Sequence, residues 1–114
     1  MELKQRRCVP AFAFAMFAAF VVGQSAAAAA EPSVQTLISQ HCEQCHEIKG
    51  LQNFGNIGPS LLDVKQRYPD RKEVAAIIYD ETKRNPQTAM MPFGRNLILT
   101  NKEIDAIVDY LYAQ

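Results

Sequence analysis

The chain has 114 residues, and its 12 Lys and Arg balance 12 Asp and Glu, so the formal net charge is zero. That length suits one small domain. The balanced charge, with no clustered basic face, argues against a nucleic-acid binder.

The N-terminal segment reads differently from the rest. "MELKQRR" is a short basic start with Lys4, Arg6 and Arg7, and an apolar run rich in Ala and Phe follows from Val9 to Gly23. "QSAAAAAE" then supplies small residues suited to a signal peptidase. This order is that of a secretory signal over 1–30, with cleavage expected between Ala30 and Glu31. An uncleaved anchor is the plainer alternative, but the apolar core falls short of the about 20 residues that a membrane-crossing helix needs. Cys8 lies at the basic edge with no lipobox before it, which argues against lipid attachment, and it is expected to leave with the signal. The remaining domain, 31–114, holds nine Lys or Arg and eleven Asp or Glu and is mildly acidic. A domain this small buries little apolar surface and usually needs disulfides, a metal or a cofactor. Only Cys42 and Cys45 remain to help, and a disulfide closing so tiny a loop would restrict the unfolded chain little.

Past the signal there is no strand-like alternation and no repeat. "PSVQTLISQHCEQC" predicts a first helix starting at Pro32 or Ser33, with Val34, Leu37, Ile38 and His41 or Cys42 at helical spacing. "EIKGLQNFGNIGPS", with three Gly and one Pro, predicts a loop. "SLLDVKQRY" predicts a brief helix stopped before Pro69. "DRKEVAAIIYDETKR" predicts another, burying Val74, Ile77 and Ile78. "NPQTAMMPFGRN" reads as a second long loop. "TNKEIDAIVDYLYAQ" opens on a capping box of Thr100 and Glu103, and Ile104, Ile107, Val108 and Leu111 form its apolar stripe. The stripes of the first and last helices are expected to cover each other. The fold class is therefore all-α, about four short helices.

Cys42-Glu43-Gln44-Cys45-His46 is C-x-x-C-H, the attachment sequence for c-type haem. In a helical turn, residues three and four apart share a face. Cys42 and Cys45 can each add a sulfur across a haem vinyl group, and His46 can present an imidazole nitrogen to the iron. A thioredoxin-type dithiol needs a nearby βαβ pattern, and no strands are expected. A structural zinc site needs four ligands; Cys42, Cys45, His46 and His41 are too crowded to surround a tetrahedral ion. Haem c also answers the need for a stabilising centre. His41 adjoins Cys42 and cannot reach the opposite haem face, so it reads as a surface or packing residue. Met90 and Met91 are the methionines outside the signal, and a loop methionine can supply a soft sixth ligand that raises the haem potential relative to His/His. Adjacent residues point opposite ways in extended backbone, and spacing alone leaves the choice between them open. No general-base or nucleophile constellation accompanies the motif. Asp80, Glu81, Asp105 and Asp109 sit at helix-surface spacing and are expected to be solvated. Lys83, Arg84 and Arg95 flank the methionines, as ordinary solubilising charge or as a docking surface for an acidic partner.

"GPSL", Gly58 to Leu61, resembles the corresponding segment of small monohaem c-type cytochromes of class I. That resemblance implies that the Pro59 carbonyl accepts the ring N–H of His46. "GNIGPSLLDVKQRYPDR", "NPQTAMMPFG" and "LTNKEIDAIVDYLYAQ" resemble the SoxX family, over about Val34 to Tyr112. The resemblance implies a periplasmic monohaem electron-transfer subunit, with the iron held by His46 and Met90, the methionine four residues before Gly94. Met91 is a mild departure from the family pattern. It implies a SoxA-like cytochrome as heterodimer partner, a soluble cytochrome as electron acceptor, and no membrane attachment once the signal is gone. In that family the pair oxidatively joins thiosulfate to a carrier-protein cysteine, with catalysis on the SoxA side. A free-standing periplasmic electron shuttle is the alternative, and a haem-based ligand sensor a third reading.

Overall fold

The structure, a computed structural model, describes residues 30–52 and 55–114. The secretory-signal reading and Cys8 lie outside the described residues. Among the described residues four helices follow in order: α1 (Val34–His41), α2 (Val64–Arg67), α3 (Arg71–Asp80) and α4 (Asn101–Tyr112), with a 3₁₀ turn at Glu81–Lys83 between α3 and α4. No strand occurs among the described residues.

Ser33 caps α1, its hydroxyl accepting from the Thr36 N–H at 3.2 Å. Leu37 and Ile38 are the buried pair of this helix. At the other end of the chain, Thr100 and Glu103 complete both arms of the capping box on α4. Ile104, Ile107, Val108 and Leu111 are all buried there, and Ile107 is 0 % exposed. α4 packs on α1, α2 and α3, so it is the spine of the core. A Lys102–Glu31 ion pair at 2.5 Å straps the two terminal segments together.

Two helices are shorter than the periodicity predicts. α2 begins only at Val64, and the Leu61 N–H before it donates to the Glu47 carbonyl at 2.8 Å. It ends where Tyr68 turns extended, as a residue before proline tends to. α3 stops at Asp80, whose backbone turns extended and whose carboxylate caps the 3₁₀ turn through the Thr82 N–H. On α3, Val74 and Ile78 are buried as expected, while Ile77 stays half-buried at the edge of the stripe. The long loops close on the helices. The Tyr112 hydroxyl donates to the Tyr68 carbonyl, and the Lys49 N–H donates to Gln114 Oε1 at 3.2 Å.

Candidate haem site

α1 ends at His41, one residue before the first cysteine. The N–H groups of Cys42 and Glu43 both donate to the Ile38 carbonyl, at 2.9 and 3.0 Å. The Glu43 bond reaches one residue further back than α-helical spacing and widens the coil, so regular helix gives way to a turn. The next turn closes when the Cys45 and His46 N–H groups both donate to the Cys42 carbonyl, at 3.1 and 2.9 Å. Cys42, Cys45 and His46 are therefore presented by one wound turn.

Both cysteines are unbridged and half-buried. Burial first, and the neighbouring Cys45 second, push the Cys42 thiol up to about 11. It stays protonated at neutral pH, the reverse of the low-pKa thiol of a redox C-x-x-C. Among the described residues, no three or more His, Cys, Asp or Glu gather as a metal cage. Of the two residues between the cysteines, Glu43 is buried and accepts from the Ser39 hydroxyl at 2.8 Å, while Gln44 is exposed.

His46 Nδ1 lies 2.7 Å from the Pro59 carbonyl oxygen. A carbonyl only accepts, so Nδ1 carries a proton and donates, and Nε2 is the ring nitrogen that Pro59 does not engage. Backbone bonds lace the Pro59 loop to the turn: the Gly55 N–H donates to the Glu43 carbonyl at 3.0 Å and the Gly58 N–H to the Cys45 carbonyl at 2.8 Å. Gly58 lies flat on the imidazole, and a Cβ there would overlap Cε1, Nδ1 and Nε2. Any larger residue would lift the loop and separate Pro59 from His46. In the sequence these glycines signal only a loop; their close approach to the turn is a tertiary fact.

The second loop carries the methionines. The Asn85 N–H donates to the Glu81 carbonyl at 2.9 Å, and the Thr88 hydroxyl accepts from the Met90 N–H at 3.0 Å. The neighbouring methionines diverge. Met90 is half-buried and packs against the core cluster. Met91 is 50 % exposed, with its sulfur 4.0 Å from the Asn96 side-chain nitrogen. His41 is a packing residue, its ring edge-on to Phe93 with centroids 5.6 Å apart.

Asp80 corrects an expectation. It is not solvated but 3 % exposed. Its carboxylate accepts from the Thr82 hydroxyl at 2.5 Å and from Arg95 Nη1 at 3.1 Å. The Thr82 hydrogen bond, and after it the Arg95 charge, hold the carboxyl below the usual carboxylate range against the opposing pull of burial. Asp105 and Asp109 of α4 do lie outside, and Glu81 is half-buried. Two of the cations beside the methionine loop are engaged within the molecule. Arg95 pairs with Asp80, and Arg84 lies 3.6 Å from Glu73 and over the Tyr68 ring. That leaves them less free to steer a distant partner.

The residues present fit a covalently held haem. Two free thiols sit one turn apart, an imidazole is oriented by its hydrogen bond to the Pro59 carbonyl, and a thioether packs against the core from a separate loop. Four helices packed around a C-x-x-C-H turn define a small all-helical c-type haem protein. A family model for cytochrome c matches residues 33–113. The chain belongs to the cytochrome c family and is an electron-transfer haem protein, with haem c attached through Cys42 and Cys45. No curated protein matches the chain. No helix among the described residues is long and apolar enough to cross a membrane.

Proposed function

We propose that this cytochrome is an exported one-electron carrier whose iron is held by His46 and Met90, working in the periplasm as the SoxX-like subunit of a SoxAX-type complex. The observation that carries the ligand assignment is the 2.7 Å His46–Pro59 hydrogen bond, which fixes the imidazole and leaves Nε2 for the metal. The inward face of Met90 against the exposed Met91 supports Met90 as the second ligand. Bound haem c supplies a one-electron redox centre. The chain's part would be to hold that centre through Cys42, Cys45, His46 and Met90 and to exclude water from it. Met90→Ala should abolish the sulfur-to-iron absorption band of the oxidised protein, and Met91→Leu should leave it. A band that survives Met90→Ala would sink the assignment.

The subunit reading rests on the resemblance to the SoxX family. It makes a SoxA-like cytochrome the partner, a soluble cytochrome the electron acceptor, and thiosulfate conjugation to a carrier cysteine the reaction served. Exposed apolar side chains beside the methionine loop support a lasting partner: Leu97 is 89 % and Ile98 40 % exposed. Monomeric proteins keep such patches small. Co-purification with a second haem protein, and electron delivery to this chain only when thiosulfate and the carrier are both present, are the expected results. A monomer that takes electrons equally well from unrelated donors would favour the free-standing shuttle.

A further inference from the structure

Asp80 is a charged side chain held almost wholly inside a small core, which is unfavourable unless it is paired and hydrogen-bonded. Helix packing gives no reason for it, since its neighbours Val74 and Ile78 do the apolar work of α3. Two of its hydrogen bonds stay local, accepted from the Thr82 N–H and hydroxyl of the 3₁₀ turn, and the third comes from Arg95, at the far end of the methionine loop. The Asn85 N–H, at the loop's entry, is bound to the Glu81 carbonyl at 2.9 Å. At the exit, the Gly94 and Arg95 N–H groups both donate to the Tyr79 carbonyl at 3.1 Å. Gly94 also lies against the Tyr79 ring, where a Cβ would overlap it. The Arg95 side chain then folds back: Nη1 reaches Asp80 Oδ2 at 3.1 Å and Thr82 Oγ1 at 3.1 Å. Both ends of the segment that bears Met90 are thus fastened to one short stretch, residues 79–82.

We propose that Asp80 and Arg95 form a positioning clamp that closes the loop and keeps Met90 presented to the iron; this rests on the reading of Met90 as the sixth ligand. A thioether is a neutral ligand, so how firmly it stays depends on how little freedom its loop must give up. Fastening both ends shortens the mobile segment and lowers that ordering cost. Arg95 is the residue through which the exit end is held, and Asp80 is the buried anchor that aims it. Neither residue touches the reacting centre; both act through the loop.

The test uses the purified, haem-loaded protein and imidazole as a competing ligand for the ferric iron, followed by loss of the sulfur-to-iron band. Asp80→Asn keeps the shape and removes the charge. It should let imidazole displace the methionine about tenfold more readily, since hydrogen bonds to charged groups are the strong ones. Arg95→Gln should shift the affinity the same way, and Asp105→Asn, on the exposed side of α4, should not. Amide hydrogen exchange is a second readout. The Gly94 and Arg95 amides should exchange faster in Asp80→Asn, while those of α4 keep their protection. If Asp80→Asn fails to mature, Arg95→Gln, at a half-exposed side chain, decides by the same two measurements. Wild-type imidazole affinity in these variants would overturn the clamp, as would a gain accompanied by equal loss of protection in α4. Loss of the band in Met90→Ala with unaltered clamp variants removes the clamp alone; survival of the band in Met90→Ala removes the ligand reading, and the clamp with it.

Discussion

At the C-x-x-C-H turn, the groups that matter lie within five residues, and backbone hydrogen bonds lace them to a glycine-bearing loop. At the Met90 loop, the fastened groups are spread over residues 79–95, and the Asp80 and Arg95 side chains add to the backbone bonds on Tyr79 and Glu81. The first arrangement depends on the absence of side chains at Gly55 and Gly58. The second adds two charges to its backbone bonds. A backbone lacing tolerates changes of charge and fails on added bulk, whereas a side-chain clamp should respond to charge before bulk. That contrast explains why the turn is announced by a contiguous motif and the methionine loop is not.

The contrast is open to attack by experiment. The largest effect is expected at the turn itself. Cys42→Ser combined with Cys45→Ser should give material with the mass of the bare polypeptide and no covalent haem absorbance, and coloured protein of haem-added mass would end the assignment of both thiols. Next come the two close-approach glycines. Gly58→Ala drives a methyl group into a ring held by the Pro59 hydrogen bond and should cost about 2 kcal/mol of unfolding free energy, within the range for overpacking. Gly94→Ala meets the Tyr79 ring, 38 % exposed and freer to yield, and should cost about 1 kcal/mol by denaturant titration. The reverse order would mean that the methionine end, not the turn, is the stiffer.

The smallest effect separates charge from bulk. The Asp80 carboxyl lies below its usual range in the folded protein, while in the unfolded chain it titrates near about 3.9. A depressed folded value contributes stability that is fully present above the unfolded value and is lost as pH falls through the folded one. The stability gap between wild type and Asp80→Asn should therefore stay constant from neutral pH down to about pH 5 and shrink at more acid pH. Unfolding curves of both proteins across that range measure it, and a gap that widens on acidification contradicts the sign.

Much of the fold was legible because its signals are local. The Thr100–Glu103 box and the stripe of Ile104, Ile107, Val108 and Leu111 name α4 from its first turn to its last. The packing of α1 on α4 follows from two stripes that need cover. The ends of α2 and α3 were not legible from apolar spacing: α2 starts only at Val64, and Asp80 leaves α3 to cap the next turn through Thr82. In the site, Cys42, Cys45 and His46 could be read from spacing alone. Met90 and Met91 could not be told apart that way, since what distinguishes them is which one meets the core. Asp80 was misread as a surface carboxylate because its helical position says nothing about an arginine fifteen residues on.

The fastening of the methionine loop has a kinetic corollary. Its contacts join residues at most sixteen positions apart, and a loop of about ten residues closes in about 10–100 ns. The strap between the terminal segments joins Glu31 to Lys102, 71 positions apart. Nascent chains should therefore sample the hooked form of residues 79–95 long before the ends of the polypeptide meet, so that slow collapse of the whole molecule begins from a partner already shaped.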